Sequence, residues 1–258
     1  MPKYGYLVVE GPHDVEFVYR LLRPYQLERV KMVDDVDPLF RDLVPSSFPH
    51  EGDLQKRVPV PLFLRSASHV IAVHSAGGDS RLTATIEETM SLRLKPDALT
   101  GIGILLDSDK EIPAAERYQG VRTAMEVIKF HLPELAGQIA VGTPRLGAFV
   151  LPDNSSIGNL EDLLLECASS AYPELLDSAR KHVDVALAQA AKLAKDGEDL
   201  AKIPFRNKAI VGAIASVLRP GKAVQTSIQD NQWFKGERLQ LGRIKAVQKF
   251  LIDLFELS

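Results

Sequence analysis

A single cysteine, Cys167, is the only thiol in this 258-residue chain. One thiol cannot close an internal disulfide and cannot build a thiolate zinc site. The core must therefore be held by packing, and a reducing, cytoplasmic setting is expected. No apolar run approaches the ~20 residues that span a bilayer, so no membrane association is expected. The N-terminal MPKYGYLVVEG lacks the charged, apolar and small-residue parts of a signal peptide. There is no G-x-x-x-x-G-K-[ST], which excludes a P-loop ATPase, and Ser155, Ser156 and Cys167 form no visible triad. Internal repeats and low-complexity segments are also missing.

What is present is an ordinary globular composition, 45% hydrophobic and 25% charged, on a chain long enough for a sizeable core. The net charge of −3 conceals an uneven distribution. From Lys202 to Lys249 ten Lys or Arg stand against only Asp230 and Glu237, a balance of +8 that leaves −11 for the rest. Such a split either reflects several unrelated solvated helix faces or makes a basic arm for a polyanion, with Lys235, Arg238 and Arg243 as the candidate nucleic-acid contacts.

Tyr4 to Val9 reads as a strand nearly free of polar interruptions, the pattern of a sheet covered on both faces. Gly11-Pro12 breaks it, and Asp14 to Leu22 carries a helical stripe of Val15, Val18, Leu21 and Leu22. Five prolines between residues 34 and 61 and no clean period predict an insertion at about 34–66, with a short strand near Leu62–Leu64. Strands are then predicted at Val70–Val73, Gly101–Leu106, Gln138–Val141 and Ala148–Leu151. Helices are predicted at Arg81–Leu94 and Ala114–Phe130. The alternation predicts an α/β core over residues 1–152, a mainly parallel sheet with helices on both faces. Residues 153–258 read as a helical extension packed on that core, with helices at Leu160–Ala171, Leu175–Ala194, Asn207–Val217 and Arg243–Phe255.

In an open parallel sheet, ligands gather at the carboxyl ends of the strands. Glu10 ends the first predicted strand and Asp107 the third, and side-chain alternation points Asp107 and Asp109 the same way. Carboxylates converging from two strands are costly unless a cation neutralises them, and hard oxygen donors suit Mg²⁺ or Mn²⁺. Either motif alone is weak; the joint pattern, Glu-Gly-x-x-Asp after one strand and Asp-x-Asp after another, is more specific.

VVEGPHD at 8–14 and ILLDSD at 104–109 resemble the two signature motifs of the Toprim domain. That domain is shared by topoisomerases, bacterial-type primases, recombination proteins of the RecR type, and small nucleases including the OLD and ribonuclease-maturation types. The resemblance spans roughly residues 4–151, interrupted by the insertion. It implies that Glu10, Asp107 and Asp109 surround Mg²⁺, with Gly11 matching the glycine after the family glutamate. In NSSIGNLEDLLLECA, 154–168, two readings stand side by side. Glu161 and Asp162 are first-turn acids behind an Asn159 N-cap, or, as the resemblance to OLD-like nucleases implies, they join Asp14 at a second metal. Lys208 is a solvated lysine, or the lysine that such nucleases place after the acidic helix to steady transition-state charge. The resulting expectation is a Mg²⁺-dependent nuclease acting on DNA or RNA. The alternative is a non-catalytic Toprim-like module that binds nucleic acid or a partner protein.

The remaining polar and aromatic residues read more simply. His13 is taken as a solvent-facing histidine at the start of its helix, and His69 and His74 as satisfied or exposed residues flanking a strand. Gly77-Gly78 is a two-glycine turn or a close approach to phosphate. Trp233-Phe234 is core packing in preference to a base-stacking pair.

Overall fold

The structure is a computed structural model that describes residues 2–47, 52, 59–108, 112–190, 192 and 203–258. Its centre is a seven-stranded sheet in the order β2-β3-β4-β1-β5-β7-β6. The middle four, β4 (His69–Ser75), β1 (Lys3–Val9), β5 (Gly101–Asp107) and β7 (Arg145–Leu151), run parallel. The edges are antiparallel: β2 (Glu28–Arg29) and β3 (Leu62–Arg65) on one side, β6 (Ile139–Ala140) on the other.

β1 is central because every one of its residues from Gly5 to Val9 is paired on both sides and buried. Alternation then separates two cores. Leu7, Val9, Leu105, Phe149 and Leu151 face one layer, while Tyr6, Val8, Ile104, Leu106, Ala148 and Val150 face the other. The second face is covered by α2 (Leu82–Leu92) and α3 (Ala114–Val127). The first face carries α1 (Pro12–Leu22) together with α4 (Leu160–Ala171), α5 (Pro173–Ala188), α6 (Ile203–Leu218), α7 (Val224–Asp230) and α8 (Gly242–Phe255). The mainly parallel α/β sheet with helices on both faces and a helical C-terminal half is thus the architecture present.

Two differences from the expectation have physical causes. The short β2 and the helix α7 carry too few residues for a readable period. The described part of the insertion contains two 3₁₀ turns, at Val33–Asp35 and Pro38–Leu43, and Val36, Phe40 and Leu43 are buried under the α2–α3 face. As expected, Trp233 and Phe234 are buried and pack in the core. Among the described residues, no helix is long and apolar enough to cross a membrane.

Candidate functional site

β1 hands Glu10 to the carboxyl edge of the sheet, and the chain turns at once into α1. Gly11 is the extended N-cap and Pro12 occupies the first helical turn, where its missing N–H costs nothing. Asp14 follows three residues after the cap, and its Oδ2 accepts the Gly11 N–H at 2.9 Å. This local geometry pulls the Asp14 carboxyl inward until only 8% of the residue is exposed. Burial first, and the neighbouring Glu10 charge second, push its pKa up to about 7.

β5 ends at Asp107. Its backbone N–H donates to Glu10 Oε1 at 2.9 Å, which ties the two strand ends together. Its carboxylate Oδ1 accepts the N–H of Leu160, the first residue of α4, at 3.1 Å. An acid at a helix N-terminus meets donors that have no partner within the helix, so Asp107 anchors α4. Ser108 completes the anchor. Buried completely, it exchanges hydrogen bonds with Gly158: Ser108 Oγ donates to the carbonyl at 3.0 Å and accepts the N–H at 2.7 Å. This stitch carries α4, and with it Glu161, to the same edge as Glu10.

Glu161 is 5% exposed. Its Oε1 lies 4.0 Å from His13 Nδ1, and its Oε2 is buried with no hydrogen-bond partner among the described residues. Burial raises the carboxyl pKa, and the Lys208 charge opposes the rise. Lys208, exposed on α6, closes the rim; its Nζ stands 6.0 Å from the Phe205 ring. Glu10, Asp14, Asp107, Glu161, His13 and Lys208 line one pocket of about 310 Å³, with Gly77 and Gly78 as a wall. Both glycine N–H groups donate to the Glu10 carbonyl at 3.0 Å, and both have positive φ, so this turn clamps the end of β1.

The structure therefore brings together Glu10, Asp14, Asp107, Glu161 and Lys208. Asp109 lies outside the described residues. Asp162 does not line the pocket: its carboxylate accepts the Asn159 N–H at 2.9 Å and the Asn207 side-chain amide at 2.8 Å, so it caps α4 and ties it to α6. Lys235, Arg238 and Arg243 do not meet there either. Lys235 donates to the Asp230 carbonyl at 3.0 Å and Arg238 to the Gln232 carbonyl at 2.7 Å, while Arg243 pairs with Asp153 at 2.9 Å. Lys235 feels Arg20 and Arg23 at the far end of α1, about a helix length of roughly 15 Å from the pocket. Cys167 is fully buried, and burial pushes its thiol up to about 12.

Sequence reasoning missed three residues here. His13 is half-buried beside Glu161, with 36% of its side chain still exposed. Arg117, on α3, donates from Nη2 to Glu10 Oε1 at 3.4 Å and to Asp79 Oδ2 at 3.1 Å, and from Nε to the Asp107 carbonyl at 3.2 Å. Nothing in the spacing of Arg117 or Asp79 announces a partner tens of residues away; only the topology places them together.

Chemically the site is a sink for positive charge. Among the described residues no ready group of three His, Cys, Asp or Glu stands in metal-holding geometry. The donors nevertheless fit a hard divalent ion: they are carboxylate oxygens, two of the acids are buried, and Glu161 Oε2 is an orphaned acceptor.

An α/β sheet with an acidic pocket at its carboxyl edge is the class that fold and site define. Within that class the chain belongs to the DUF3226 family, described as a protein of unknown function, whose profile matches residues 4–256. In three dimensions it is similar to the crystal structure of hypothetical protein PH0156 from Pyrococcus horikoshii OT3, with a TM-score of 0.51, 15% identity, and coverage of 98% of this chain and 95% of that one. At that identity the likeness is one of fold. No curated protein matches the chain.

Proposed function

We propose that the pocket binds Mg²⁺ or Mn²⁺ and that the protein hydrolyses phosphodiester bonds of DNA or RNA, as the Toprim-like motifs around Glu10 and Asp107 suggest. The observation that carries this reading is the buried, under-neutralised acid pair, Asp14 with its pKa near 7 and Glu161 with an orphaned oxygen, beside Glu10 at the sheet edge. Glu10 and Asp107 would hold one ion, and Asp14 and Glu161 would hold a second. When bound, such ions supply Lewis-acid stabilisation of phosphoryl oxygens and a more acidic water.

The chain's own residues provide the rest. Lys208 stands on the rim, where its charge complements a phosphate that approaches the acids. Asp107, held by the α4 N-terminus, keeps its carboxylate oriented, and the Gly77–Gly78 turn adds no side chain to the mouth.

A second reading, a non-catalytic module that binds nucleic acid or a partner, is favoured by one feature. Arg117 already places a positive charge against Glu10. The two separate in a cleavage assay. Labelled single- and double-stranded DNA and RNA are incubated with wild type and Asp107→Ala, in Mg²⁺, Mn²⁺ or chelator. We expect ion-dependent cleavage of at least one substrate by wild type and a loss of about 10²-fold or more in the variant. No cleavage under any condition, or equal cleavage by repurified Asp107→Ala, overturns the nuclease reading.

A further inference from the structure

Arg117 reaches two residues of the pocket, Glu10 and Asp107, from the opposite layer of the molecule. α3 packs its Tyr118, Val121 and Met125 under the second face of the sheet. Arg117, in the first turn of that helix, wraps around the end of β5, and only 16% of its side chain is exposed. All three of its contacts use Nε and Nη2: the Asp107 carbonyl, Glu10 Oε1 and Asp79 Oδ2. The guanidinium thus lies against the same Glu10 oxygen that accepts the Asp107 N–H, so a divalent ion held by Glu10 would share that carboxylate with it.

We propose that Arg117 is a substrate-binding residue that trades places with the ion: it neutralises Glu10 in the ion-free protein, and ion binding releases it to grip the substrate phosphate. This rests on reading the pocket as a divalent-ion site. Two cations on one carboxylate repel each other, so an ion at Glu10 weakens the Arg117 contact, already the longest of the three at 3.4 Å. The guanidinium is not lost when that happens. Asp79, half-exposed on the turn after Gly78, holds the same Nη2 at 3.1 Å and keeps it at the rim. A planar fork tethered by one carboxylate beside an ion site is suited to a bidentate grip on phosphate. Nucleic acid should therefore bind the ion-loaded protein better than the ion-free one, and Arg117 should account for part of the difference.

The test measures Mn²⁺ affinity by electron paramagnetic resonance for wild type, Arg117→Gln and Arg117→Lys. In parallel, binding of a short single-stranded DNA is measured in Ca²⁺ and in chelator. Melting curves verify that each variant is folded. Arg117→Gln should bind Mn²⁺ on the order of tenfold more tightly, because its competitor is gone, yet bind DNA less well and with a smaller gain from Ca²⁺. Arg117→Lys keeps the charge without the fork, so its Mn²⁺ affinity should stay near wild type while DNA binding falls. Should Arg117→Gln fail to fold, Arg117→Lys alone decides: DNA binding equal to wild type overturns the proposal. Equal Mn²⁺ affinity in wild type and Arg117→Gln also overturns it, while leaving the ion site itself intact. If neither protein binds Mn²⁺, the ion reading falls and this proposal falls with it.

Discussion

Asp14 is held by two opposing demands. As the third residue of α1 it must turn inward to accept the Gly11 N–H, and turning inward removes it from water beside Glu10. An acid whose folded pKa is raised keeps its proton in the folded chain after the unfolded chain has released it. Between the ordinary aspartate value and about 7 the folded state binds more protons, so stability falls as pH rises through that window. Asp14→Asn retains an acceptor for Gly11 and removes the charge. In urea unfolding with chelator present, the variant should be more stable than wild type at pH 8 by on the order of 1–3 kcal/mol. At pH 4 the two should nearly coincide. A wild type that is the more stable protein at pH 8 without ions would mean that Asp14 is already compensated, and the case for a cation there would lose its main support.

At the level of elements, two contacts fix the site, and both are made by small residues. Ser108 and Gly158 dock α4 against the end of β5, as described above. Across the sheet, Gly5, Gly101, Gly103 and Gly147 leave a smooth channel into which α8 lies. A Cβ on Gly101 would stand 2.5 Å from the Leu254 carbonyl oxygen, and one on Gly103 2.5 Å from Leu254 Cδ2. Backbone cannot yield as a side chain can. Gly101→Ala should therefore cost about 1–3 kcal/mol with an unchanged denaturant slope. Gly120→Ala on exposed α3, where a Cβ meets nothing within 4 Å, should instead gain up to about 1 kcal/mol. A neutral Gly101→Ala would refute the close approach of α8.

The same elements show what the sequence could convey. Strand ends were legible because a buried strand is apolar to its last residue, so a terminal Glu10 or Asp107 stands out. The strands β1, β4 and β5 and the helices α1 and α4 follow from period and breakers. The glycines of GIG at 101–103 read only as strand residues, because their purpose lies in a helix about 150 positions later. Asp162 and Glu161 were indistinguishable for a related reason. Adjacent first-turn acids differ by about 100° around a helix axis, and only the docking of α4 decides that Glu161 enters the pocket while Asp162 caps. Arg117 carried no signal at all.

For the molecule as a whole, the carboxyl edge of the sheet is where both layers contribute. α1, α4 and α6 bring acids and Lys208 from one face, and α3 brings Arg117 from the other. The basic C-terminal stretch does not concentrate at this mouth. Of its described cations Lys208 lines the pocket, while Arg219 pairs with Asp230, Arg243 with Asp153 and Lys249 with Asp253. The acidic edge, more than a basic arm, therefore supports the proposed function, whose central claim is a divalent ion bound there. The most direct measurement is anomalous diffraction from crystals of the protein soaked in Mn²⁺. The predicted result is a peak in the pocket, in contact with Glu10 and Asp107, with the Arg117 guanidinium withdrawn toward Asp79. A protein that shows no peak in this pocket at saturating Mn²⁺, with Arg117 still against Glu10, would contradict it.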